Sequence, residues 1–342
     1  MITIQILRGV AAVLVVLYHV AKKGVVAGDY PFNLFEFGQF GVEIFFIISG
    51  FIMSFVTAGK ELHLPSFMVR RLVRILPMYW LFSTIALCAF LVVPKLAFTH
   101  TDLPPGLVSS YLLIPDPHHS LLLMVGWTLS YEVLFYIVFA LTAGMRGRPV
   151  AAMLGLLWGL SFVVPQNFYL QFIFNDFWAE FLVGTLLFKI MDKKAALFSV
   201  GIGALIVFVA FDYHGLPERR SVYFGLPAVA VFSIALGLES SIRKLRSAII
   251  IPGLKFLGDA SYSIYLSHFF SLNLAYLLIY KILKLNGGWT MAMYFVLAVV
   301  VSMVAGSLIH VLIEKRILYA LKNVNGRSVK RDVASQVDND AV

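Results

Sequence analysis

Charge is scarce in this chain and cysteine nearly absent. Asp, Glu, Lys and Arg make up 13% of the 342 residues, against roughly 25% in a soluble domain. The lone Cys88 excludes a disulfide framework and a cysteine-bound metal cluster. No pair of histidines has the His-x-x-x-His spacing of a helical metal site, and the adjacent His118 and His119 rarely point at one ion, so no metal is expected. No internal repeat is visible, which weakens a transporter built from duplicated halves. Nor is there a polar stretch long enough for a separate soluble domain.

What fills the chain is apolar: 60% of the residues are hydrophobic, more than a water-facing fold can bury. Ten apolar runs are long enough, or nearly so, to span a bilayer, which takes about 17–25 residues as helix. They cover 4–22, 39–58, 75–93, 121–143, 150–164, 168–190, 197–211, 222–239, 261–285 and 289–313. His19, Lys22 and Lys23 interrupt the segment that might otherwise read as a cleavable signal, so the first helix is expected to be retained. With the N-terminus inside, 20 of the 27 lysines and arginines fall on inner segments, as the bias toward positive cytoplasmic loops requires. The expectation is an all-α, polytopic helix bundle of about ten transmembrane helices with both termini cytoplasmic. A transmembrane domain would cover 1–322, and 323–342 would be a polar, disordered cytoplasmic tail. The same charge placement accounts for the net charge of +9 without a nucleic-acid partner.

An ionisable side chain at mid-bilayer costs at least about 2.5–3.5 kcal/mol, so each one calls for a reason. Arg8 and His19 are eleven residues apart, which places them on one helix face about 16 Å apart. His19 can move a proton near neutral pH, although a helix-end histidine bonded to a neighbour would look the same. Glu43, Glu132, Asp176 and Glu180 fall in the outer or middle membrane, at depths comparable with His19. Each can be an interhelical hydrogen bond; together they favour a polar cavity. On the inner side Arg70, Arg71 and Arg74 cluster before Pro77. Guanidinium groups so placed match phosphate geometry, and ordinary positive-inside charge is the other reading. His268 follows Ser261-Tyr262-Ser263-Ile264-Tyr265-Leu266-Ser267, and is either a packing residue or part of a donor channel. His310 and Glu314 read as a boundary contact.

These same residues carry a resemblance. Arg8 through His19 resembles the opening Arg–ten residues–His motif of the membrane acyltransferase 3 family. Phe45-Phe46-Ile47-Ile48-Ser49-Gly50-Phe51, the Arg71 and Arg74 pair before Pro77-Met78-Tyr79-Trp80, Trp127-Thr128-Leu129-Ser130-Tyr131-Glu132, and the segment ending at His268 are similar to its further landmarks, in family order. The overall look is closest to the exopolysaccharide-modifying O-acetyltransferases of bacteria. Glu43 departs from the Asp of many relatives and keeps the carboxylate. Some relatives carry an extra extracellular domain; here acceptor specificity is expected to come from the helices and outer loops.

The resemblance implies a multi-pass enzyme of the bacterial inner membrane that moves an acetyl group from cytoplasmic acetyl-CoA to a hydroxyl of a carbohydrate or glycolipid acceptor. His19 is then the catalytic base, with Glu132 or Glu43 orienting its imidazole; a covalent acyl-histidine is the alternative route. Arg8, Arg70, Arg71 and Arg74 would hold the acyl-CoA. Trp127, Ser130, Tyr131, Asp176, Glu180 and His268 would line the path of the substrate. Two competing classes are a secondary transporter or polysaccharide exporter with an intramembrane proton relay, and a non-catalytic scaffold.

Overall fold

A computed structural model of the chain describes residues 1–26, 35–60, 62–92, 103–145, 149–165, 167–214, 219–245, 250–285 and 289–321. The tail 323–342, His100, Arg146 and Arg148 lie outside these residues. Among the described residues the protein is all-α, without a named strand.

Seven of its helices are long and apolar enough to cross a bilayer: Ile2–Gly24, Glu36–Thr57, Leu64–Val92, Gly126–Ala143, Lys194–Phe211, Ile250–Ile282 and Thr290–Leu321. They correspond to α1 (Ile2–Val26), α2 (Phe40–Thr57), α3 (Leu64–Val92), α5 (Gly126–Ala143), α9 (Lys194–His214), α12 (Ile250–Tyr276) and α13 (Thr290–Ile309). A short α4 (Leu107–Leu112) precedes α5. Three of the ten apolar runs instead form shorter helices. The run at 150–164 gives α6 (Val150–Leu160), and that at 222–239 gives a π-turn over Ser221–Gly225 leading into α10 (Leu226–Gly237). The run at 168–190 breaks into α7 (Phe168–Ile173) and α8 (Trp178–Lys189). The break holds Asn175 and Asp176, and polar partners outside the helix explain it. Asp176 accepts the Ser221 backbone N–H at 2.8 Å and the Trp158 indole N–H at 3.3 Å.

Helix α1 is packed against α2 and α12, and small residues set both crossings. A Cβ on Gly258 would run into the Gln5 carbonyl, and one on Gly9 would lie 3.0 Å from the Gly258 nitrogen. At such a contact two backbones approach closely, as small residues permit between membrane helices. Gln5 and Gly9 meet Gly258, His19 meets His268, and Lys23 bonds to Asn273. Both numbers rise together, so α1 and α12 run parallel. Gly38 packs on Leu14 and Tyr18 and Gly41 on Ala11, so α2 runs antiparallel to α1. Glu43 therefore lies on the Arg8 side of Ala11, well below His19.

The start of α1 is tied down by α11 (Glu239–Lys244). The Glu239 carboxylate accepts the backbone N–H groups of Ile2 at 3.2 Å and Thr3 at 2.8 Å, and Arg243 donates to it at 3.1 Å. It satisfies N–H groups that a helix leaves open at its first turn, at the positive end of the dipole. At the other end, beyond α4, the Asp116 carboxylate accepts from the His118 backbone and pairs with His119, each at 2.8 Å. Those bonds hold its carboxyl below the usual range.

Candidate functional site

Besides a buried contact of Glu314 with His310 and Ser263, each at 2.7 Å, three groups of polar residues stand out in the bundle. The first surrounds a cavity of about 260 Å³ between α1, α2, α3, α5 and α12, lined by Arg8, Ser49, Arg71, Arg74, Glu132 and Tyr136 among others. Helical spacing brings the arginines in: Arg71 and Arg74 are three apart on α3, so they share a face. Arg8 faces the same space from α1, with a long bond of 3.4 Å to Gln5. Arg70, the other member of the run, is exposed and does not line the cavity. The Arg71 guanidinium lies 5.5 Å from the Phe67 ring, and its Nε is buried without a hydrogen-bond partner.

Glu132 balances part of this charge. Its Oε1 accepts from Ser49 Oγ at 3.0 Å and from the Tyr136 hydroxyl at 2.5 Å. Three guanidinium groups against one carboxylate leave the lining cationic, so an anionic ligand is what the chemistry of the walls favours. Tyr262 closes the α12 side, donating to the Ile75 carbonyl at 2.7 Å. Tyr265 reaches Thr128 Oγ1 at 2.7 Å and the Val125 carbonyl at 3.1 Å.

The second group is a histidine pair. The rings of His19 on α1 and His268 on α12 are 5.2 Å apart, and that of Phe269 stands 4.7 Å from His19. His268 is fully buried, and its Nδ1 is 2.7 Å from the Tyr265 carbonyl. Neither histidine lines the arginine cavity. Along α1, His19 is about 16 Å beyond Arg8.

The third group holds Glu43, Asp176 and Glu180. Glu43, fully buried, lies 2.6 Å from Arg220 Nε. The contact is one of charge on charge: that N–H is not aligned for a hydrogen bond, and Nη1 donates instead to Gln39 at 3.2 Å. The Arg220 guanidinium stands 5.8, 5.6 and 5.2 Å from the rings of Trp127, Phe177 and Phe224. Asp176 faces Arg219 at 3.5 Å, and buried Glu180 packs against Gly225, with Oε2 unpartnered. Tyr131 stacks between Phe172 and Phe177, at 5.0 and 4.8 Å. Ser130 is spent within its own helix, on the Gly126 carbonyl at 3.4 Å.

Glu132 thus belongs with the arginines and Glu43 with Arg220; the bonds described for both run to groups other than His19. Arg219 and Arg220 escaped the sequence reading, which counted them as outer charge. Two adjacent arginines on an outer segment, against the positive-inside bias and directly before an apolar run, were the available signal. Tyr136, one turn after Glu132, was open to the same spacing argument. Among the described residues no group of three or more His, Cys, Asp or Glu side chains converges to hold a metal ion.

Residues 1–312 match the acyltransferase domain family. The chain is 30% identical to the exopolysaccharide production protein ExoZ of Rhizobium meliloti (strain 1021), over 75% of this chain and 81% of that protein. It is 24% identical to the acyltransferase MdmB of Streptomyces mycarofaciens, over 90% of this chain and 89% of that one. No solved structure matches. A family match across nearly the whole helical bundle, with the motif residues gathered in its interior, makes this chain an acyltransferase and a member of the acyltransferase domain family.

Proposed function

We propose that the chain transfers an acetyl group from acetyl-CoA to a hydroxyl of an exported or surface carbohydrate, across the bacterial cytoplasmic membrane. The convergence of Arg8, Arg71 and Arg74 on one cavity between the helices carries this reading. Guanidinium forks pair with phosphate oxygens two bonds at a time, and Arg71 has a buried nitrogen without a partner to offer. At about 260 Å³ the cavity is slightly smaller than common ligand pockets, about 300–1,000 Å³. It would take the phosphate end of the acyl-bearing arm, with the nucleoside outside. The charge bias of the loops puts this end of the bundle at the cytoplasm, where acyl-CoA is found.

The arm would then follow α1 toward His19. There the His19 imidazole takes the proton of the acceptor hydroxyl as that oxygen attacks the thioester carbonyl. The C–S bond breaks, the ester forms, and the proton passes from His19 to the departing thiolate as free CoA. Glu132 tempers the charge of the donor cavity instead of orienting His19. Trp127 and Tyr131, with their aromatic neighbours and the carboxylate of Asp176, offer apolar faces and acceptors suited to a sugar. The name of the ExoZ relative, an exopolysaccharide production protein, agrees with such an acceptor.

Membrane vesicles carrying the protein and its host's polysaccharide, given radiolabelled acetyl-CoA at the cytoplasmic face, test the reading. Base-labile label in the polysaccharide fraction is expected. Movement of unmodified solute with no label transferred would favour the transporter instead.

A further inference from the structure

His268 shows a feature that its packing does not require. Its Nδ1 is 2.7 Å from the Tyr265 carbonyl, an oxygen that can only accept, so Nδ1 carries the proton. In the neutral ring Nε2 is then a bare acceptor. That nitrogen is fully buried and has no hydrogen-bond partner, which costs free energy that an apolar side chain in its place would avoid. It is shut off from water, and the rings around His268 are those of Phe269, at 4.6 Å between centroids, and of His19, at 5.2 Å and tilted by 36°.

Two ties hold this pair in register. Below it, α1 and α12 meet backbone to backbone at Gly9 and Gly258. Above it, Lys23 bonds to Asn273 and lies over the Tyr276 ring at 5.0 Å. Tyr18 at 4.8 Å and Phe269 at 4.7 Å also pack on the His19 ring.

We infer that His268 is the positioning residue of His19: its bare Nε2 accepts the N–H of the His19 ring on rotation of that ring, which selects one tautomer and turns the other nitrogen to the acceptor's proton. When His19 becomes an imidazolium the same bond turns charge-assisted and steadies it. A carboxylate fills this place in the familiar serine triad; here a neutral imidazole does so, without a second buried charge. The inference rests on the reading of His19 as general base.

Two substitutions separate acceptor from filler. In His268→Asn the amide can keep the bond to the Tyr265 carbonyl but has nothing at the Nε2 position; in His268→Gln an amide oxygen reaches that position. The readout is thiol release from acetyl-CoA in membranes carrying the host's own polysaccharide, with His19→Ala measured beside them. His268→Asn should lose about 100-fold in kcat, with the KM for acetyl-CoA within about threefold of wild type, and His268→Gln should recover at least about tenfold of that loss. Unchanged kcat in His268→Asn, or equal losses in both variants, overturns the inference. If His268→Asn does not accumulate in the membrane, His268→Gln decides alone: a loss beyond about 100-fold overturns it, a smaller one supports it. His19→Ala keeps the two ideas apart. An active His19→Ala removes the general base itself, whereas an inactive one beside an unaffected His268→Asn removes only the positioning role.

Discussion

Arg220 Nε lies 2.6 Å from a Glu43 carboxylate that is fully buried, and this pair ties the segment before α10 to α2. Removing one partner strands the other charge in a low dielectric. Such losses run to about 3–5 kcal/mol. Arg220→Leu should therefore lower the melting temperature of the detergent-solubilised protein markedly, and adding Glu43→Gln should restore much of it. A double variant no better than Arg220→Leu alone would show that the pair is not coupled.

The arginine run on α3 makes a sharper prediction, because the structure separates its members. Arg71 lines the cavity and Arg70 does not. Arg71→Ala should raise the KM for acetyl-CoA about 10- to 100-fold, the worth of one or two charge-assisted bonds, with kcat little changed. Arg70→Ala should leave the KM within about twofold. Equal effects would return both to the general positive charge of the inner face.

Gly258 links the fold to the site. Its missing side chain allows the Gln5 carbonyl to approach, one turn before Arg8. Gly258→Val should cost at least about 1–3 kcal/mol as overpacking against backbone. It should also reduce acyl transfer more than its effect on the amount of folded protein, since α1 carries both Arg8 and His19. Wild-type activity per folded molecule would mean that the crossing does not set the site.

Glu239 stabilises the same helix from its end, accepting the N–H groups of Ile2 and Thr3. Glu239→Ala should destabilise the protein by about 1 kcal/mol, the worth of a capping side chain. Glu239→Gln, which keeps an acceptor and loses the charge, should cost less. Thermal melts of the two variants against wild type check the order.

Much of the arginine cavity is readable in the sequence, because it depends on spacing within single helices. Arg71 and Arg74 share a face three residues apart, and Arg8 stands out as a charge in an apolar run. Spans were less legible. The run at 168–190 has the length and apolarity of a membrane helix, yet Asp176 finds the Ser221 N–H and the Trp158 indole and divides it into α7 and α8. That competition is tertiary, so composition does not reveal it. The meeting of His19 with His268 is hidden for the same reason. It follows from the parallel register of α1 and α12, which depends on Gly9 and Gly258 across some 250 residues of chain. The carboxylates were grouped by apparent depth, and antiparallel packing of α2 on α1 puts Glu43 on the Arg8 side of Ala11 instead.

The central claim is that His19 takes the acceptor's proton, and O-acetyl content of the surface polysaccharide measures it most directly. Cells lacking the gene would be complemented with wild type or His19→Ala at matched membrane abundance, and ester-linked acetate per sugar determined on purified polysaccharide. Wild type is expected to restore the ester, and His19→Ala to leave it at the level of the uncomplemented cells. Substantial O-acetylation by His19→Ala would contradict the central claim.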